Sequence, residues 1–152
     1  MSQRRGLSLL ELLASTAVLG VIAGTAFAIM RLDSLGNHGA MTVARTLAND
    51  LELARYRSIN TGDDHFLLLT SSSSIVAYTL HRDTGGSSIA EDVTREIPGQ
   101  VTVTISPAAG QTPSLTFEGL AASSFTFTVA GPQRTLEVTV TAATGRAVVT
   151  KM

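Results

Sequence analysis

Glu11 is the residue whose chemistry most needs explaining. It is the only ionisable group in residues 7–30, an apolar run with Arg4 and Arg5 before it and Arg31 after it. An acid inside a membrane helix costs about 2.5–3.5 kcal/mol on insertion scales, and such groups generally pair with a functional partner. No base lies within the run, so the partner of Glu11 must come from outside it. Elsewhere the candidates thin out. His38, His65 and His81 share no H-x-x-x-H or mixed carboxylate spacing, so no metal site is expected of them. Asp63-Asp64 suggests calcium, but residues 112–152 carry only Glu118 and Glu137 as acids, too few for six to eight oxygens. The aspartate pair reads as a solvated turn. Gly85-Gly86 lacks the lysine and the strand–loop–helix setting of a phosphate loop. The serines of 71–74 sit in no G-x-S-x-G frame with a partnered histidine. No catalytic constellation and no cofactor is expected, so the chain reads as a non-enzyme.

Three bases remain. Arg134, Arg146 and Lys151 would lie together near a C-terminal hairpin, where they would give nucleic acid a weak, salt-sensitive phosphate contact. A solvated sheet edge is the better reading. The totals agree, because a net charge of −1 supplies no broad basic field. With 152 residues the chain suits one modest domain plus its apolar run. The absence of cysteine excludes disulfides, thiolate metal sites and cysteine nucleophiles.

The elements that must position these residues follow from periodicity. As a helix, residues 7–30 would extend about 36 Å against a hydrocarbon core of about 30 Å. Arg4 and Arg5 favour a cytoplasmic start and an outside C-terminus. Cleavable secretory signals are the competing readings. Ala26-Phe27-Ala28 offers an A-x-A site, and Arg4-Arg5-Gly6-Leu7 partly matches a twin-arginine pattern. The run is too long for the first, and an acid within it suits neither. Residues 33–39, DSLGNHG, should loosen or break the helix. Helical spacing then resumes, with Ala40, Ala44, Leu47, Leu51, Ala54 and Ser58 on one face and an end near Asn60-Thr61-Gly62. Arg45, Asn49, Glu52 and Arg55 fall largely off that face.

After Gly62 the period becomes two. Strands are expected at 65–70, 75–81, 101–105, 114–117, 125–129, 136–140 and 146–150, with a loop at 83–88 and a turn at Thr144-Gly145. The class is α+β: a long N-terminal helix, its first half transmembrane, packed on antiparallel β-sheet.

Gly6-Leu7-Ser8-Leu9-Leu10-Glu11-Leu12-Leu13 and the apolar stretch behind it resemble the processing motif of type IV pilins and type II secretion pseudopilins. Ala54-Arg55, Phe117-Glu118-Gly119 and the final Gly145-Arg146 turn resemble the GspH/FimT group of minor pseudopilins and pilins. That resemblance implies a leader of residues 1–6, a transmembrane helix of 7–30, a linker and amphipathic helix of 31–61 and a β-rich periplasmic domain of 62–152. It further implies that a prepilin peptidase cuts between Gly6 and Leu7 and that Leu7, where Phe is usual, is N-methylated. Glu11, fifth after the cut, would pair with the terminal amine of a neighbouring subunit. The implied function is a minor pseudopilin in the inner membrane, partnered by other pseudopilins. A FimT-like minor pilin of a type IV pilus is the first alternative. A β-rich binding domain released by signal cleavage is the second.

Overall fold

The computed structural model describes residues 9–71, 74–107 and 112–152, with side-chain surroundings for all of these except 27–37. The leader, Gly6, Leu7 and part of the 71–74 turn lie outside the described residues. Two compact units divide the chain, Met1–Leu35 and Gly36–Met152.

One helix, α1 (Leu9–Thr61), runs through both spans. The break expected at 33–39 is absent. Glycine weakens a helix by only about 1 kcal/mol per residue, and no proline here removes a backbone donor. Gly39 also has a packing reason, since a Cβ there would stand 3.3 Å from the Val101 side chain. It lets the helix approach the sheet closely instead of ending it. The true end falls where expected. Gly62, at φ 74°, returns its N–H to the Ser58 carbonyl at 3.0 Å, a left-handed cap. The six residues assigned to the apolar face, Ala40 through Ser58, are all buried.

Among the described residues nine strands follow: β1 (Asp64–Ser71), β2 (Ile75–Asp83), β3 (Ser88–Ala90), β4 (Arg95–Glu96), β5 (Thr102–Ser106), β6 (Ser114–Leu115), β7 (Phe125–Ala130), β8 (Thr135–Val140) and β9 (Ala147–Lys151). Every pairing is antiparallel, in the order β6-β1-β2-β5-β7-β8-β9, with β3 and β4 also on β2. β2 is the hub. β1 follows it along one edge, while β3, β4 and β5 share the other; β5 holds it only through Ile75 and Val103. Alternation in β7 and β8 sends Phe125, Phe127, Val129, Leu136, Val138 and Val140 into the core beneath Leu47 and Leu51 of α1. Burying a leucine such as Leu51 completely contributes about 2 kcal/mol.

Two short strands, β3 and β4, were not expected from the sequence. They are exposed throughout, so no alternation marks them. The strand expected at 114–117 stops at Leu115. Asp63-Asp64 is not a solvated turn. Asp64 opens β1 and its Oδ1 accepts the Phe117 N–H at 2.8 Å, while Asp63 lies 3.7 Å from the Arg82 guanidinium.

Candidate functional site

Residues Leu9–Ala26 form a helix with a mean hydropathy of 1.8, and none of it is buried within the protein. Leu9 and Leu10 are about four-fifths exposed, and Leu13, Leu19 and Val21 about two-thirds. Glu11 is exposed among them, and among the described residues no base pairs with it. The hydroxyls of this stretch are already satisfied. Ser15 donates to the Glu11 carbonyl at 2.8 Å, Thr16 to Leu13 at 3.0 Å and Thr25 to Ile22 at 2.9 Å. Bonds of that kind suit an environment without water. The carboxylate of Glu11 is the one group that such an environment leaves uncompensated.

In the second unit, the three features noted at Arg55, Gly119 and Gly145 meet at one place. Arg55 Nε donates to the Gly119 carbonyl at 3.0 Å. Gly119 (φ 77°) and Gly145 (φ 61°) are both left-handed, and a Cβ on Gly145 would overlap that same carbonyl oxygen. One turn earlier on α1, Glu52 accepts the Ala147 N–H at 2.9 Å and lies 3.8 Å from Arg55. Helix end, the turn after β6 and the final hairpin are thereby latched together.

Two polar clusters had no signal in the sequence, because their members come from separate elements and share no local spacing. At the first, Glu91 faces three bases: Arg57 at 3.2 Å, His65 Nε2 at 3.1 Å and Arg82 Nε at 3.2 Å, the last without hydrogen-bond alignment. The His65 ring is fully buried, with Nδ1 3.1 Å from the Asp63 carbonyl. At the second, the buried Asp50 accepts from Tyr78 Oη at 2.9 Å and from Arg95 Nε at 2.6 Å. Burial, then the Asp50 charge, pushes the Tyr78 phenol far above its ordinary value near 10. Hydrogen bonding to Asp50 raises Arg95 in turn. Arg95 also lines an open groove of about 360 Å³ against Thr42 and Thr46 of α1.

The remaining sequence candidates divide. Arg134 precedes β8 and Lys151 pairs opposite Leu136, so these two share one end of the hairpin. Arg146 stands at the other end, beside the Val140–Ala147 pair. At about 3.4 Å per residue the separation of Arg146 from Lys151 is about 17 Å, and the expected three-base group does not form. His81 stacks on Phe66 with centroids 5.5 Å apart. No cluster of metal-ligating side chains occurs among the described residues.

A family model described as type II transport protein GspH matches residues 43–144. Two solved structures of the minor pseudopilin EpsH from the type 2 secretion system of Vibrio cholerae share the fold, each with a TM-score of 0.60 and 11% identity. Each match covers 74% of this chain, and 95% or 93% of the other. Comparison with curated protein sequences gives no match. The family match runs from the buried face of α1 through Arg55 and Gly119 to the turn before Gly145, well over half of the sequence. On that span the chain belongs to the GspH family of type II transport proteins.

Proposed function

We propose that the chain is a minor pseudopilin of a type II secretion system, and that its work is assembly, not catalysis. The observation that carries this reading is the unburied apolar helix Leu9–Ala26 with its single carboxylate, set before a GspH-family domain. In the proposed mechanism a prepilin peptidase cuts between Gly6 and Leu7 and the new terminus is N-methylated. The freed amine stays protonated near neutral pH. The apolar helix holds the protein in the inner membrane as a single pass, with the β-rich domain on the periplasmic side, until it joins a filament of other pseudopilins. There Glu11 meets the amine of a neighbour. A buried ion pair of this kind sets geometry more than it adds net stability, so Glu11 fixes subunit register.

N-terminal sequencing of the mature protein tests the processing step. A start at N-methyl-Leu7 is expected; a start at Ile29 would mean secretory cleavage and overturn the reading. Glu11→Ala tests assembly separately, since it should leave the cut intact while reducing incorporation into filaments. Undiminished incorporation would remove the register role.

A further inference from the structure

β9 ends the strand order, with β8 on one side and, among the described residues, no strand on the other. Alternation decides which of its backbone groups face outward. Met152 donates its N–H to the Thr135 carbonyl at 3.2 Å, so residues 148, 150 and 152 turn toward β8 and 147, 149 and 151 turn away. The outward N–H of Ala147 is taken by Glu52. Among the described residues, nothing takes the outward groups of Val149 and Lys151. Val148 is 57% exposed and Val149 37%, on opposite faces of the strand.

Edge strands accept added strands unless a bulge, proline or charge blunts them. β9 has no proline, and its pairing with β8 is without a register shift. Its charges all have one sign. Arg146 precedes it, Lys151 ends it and Arg134 stands beside Lys151, against one acid in residues 131–152, Glu137, and the Glu52 carboxylate already engaged by the Ala147 N–H. That pattern excludes a second copy. Antiparallel self-pairing through Val149 would set Lys151 against Ala147, next to the other copy's Arg146, and parallel in-register pairing would set each base against itself. An acidic strand meets the opposite field.

We propose that β9 is a docking edge for one extended strand of a protein partner, a strand with a β-branched apolar centre and acidic residues at both ends. Main-chain hydrogen bonds to Val149 and Lys151 would supply affinity. The valines would receive the apolar centre, and the three bases would select the acidic ends. The edge is separate from the apolar helix, so its failure would leave the assembly reading untouched.

The test uses the full chain in zwitterionic detergent micelles and a fluorescent Glu-Val-Thr-Val-Glu peptide, with anisotropy as the readout. Binding is expected for this peptide and not for its Lys-Val-Thr-Val-Lys counterpart. Val149→Pro removes an outward N–H that β8 does not use, and should weaken binding about tenfold or more. A second variant, Arg134→Glu with Lys151→Glu, alters only exposed side chains and should reverse the preference toward the basic peptide. No binding of the acidic peptide, equal binding of both peptides, or unchanged binding by both variants would overturn the proposal. So would capture of a short DNA duplex by an edge that ignores the acidic peptide, because phosphate contact alone would then explain the bases.

Discussion

At Glu91 one carboxylate, 19% exposed, serves Arg57 from the helix, His65 from β1 and Arg82 from β2. Glu91→Gln removes the carboxylate charge these bases share, leaving Arg82 with Asp63 alone, and should cost about 2 kcal/mol of stability in urea unfolding. The Asp50 cluster predicts a pH dependence instead. Tyr78 titrates far higher in the folded protein than in the unfolded chain. Its contribution is therefore complete below pH about 10 and is lost as pH rises beyond that value. Tyr78→Phe should cost about 1 kcal/mol at neutral pH through the lost hydrogen bond. The variant should also show a shallower loss of melting temperature between pH 9 and 11, roughly where a free phenol ionises. Neither cluster was legible in the sequence, because Asp50, Tyr78 and Arg95 meet only through the pairing of β2 with β4 under the helix. Glu11 differs, since its oddity lies wholly in its neighbours along the chain.

Among the elements, legibility tracked the length of an uninterrupted pattern. The i, i+4, i+7 face of α1 and the alternation of β7 and β8 run over several repeats, and each set their burial correctly. β3 and β4 contribute only three and two residues, too few for any period to show. The glycines of DSLGNHG misled because the residue type carries two meanings, weak helix former and close-contact spacer; Val101, 62 residues beyond Gly39, decides between them. The latch illustrates the same limit. Gly119 and Gly145 are identifiable as turn residues, but their contact with each other is not. Gly145→Ala should destabilise by about 2–3 kcal/mol, because it combines a left-handed backbone with overlap on the Gly119 carbonyl. Gly85→Ala shares the positive φ (78°) but has open space around it, so thermal melts of the two variants separate strain from overlap.

For the whole molecule, the division at Leu35 and Gly36 has a practical reading. Every residue of the buried core lies in Gly36–Met152, while the apolar side chains of Leu9–Ala26 have no protein cover. A chain beginning at Gly36 should therefore unfold in one cooperative thermal transition without detergent, and the full chain should need detergent to stay monodisperse. Broad, non-cooperative melting of the shorter chain would show that the first unit supports the core. The latch adds a constraint in time. Glu52 finds its partner 95 residues later, and Arg55 finds its own 64 residues later. During synthesis Arg55 can therefore reach Gly119 before Glu52 can reach Ala147, which belongs to the later strand β9. A chain cut short before Ala147 would keep most of its apolar pattern yet lose this last fastening. Limited proteolysis should then cut such a chain near the helix end faster than the full chain.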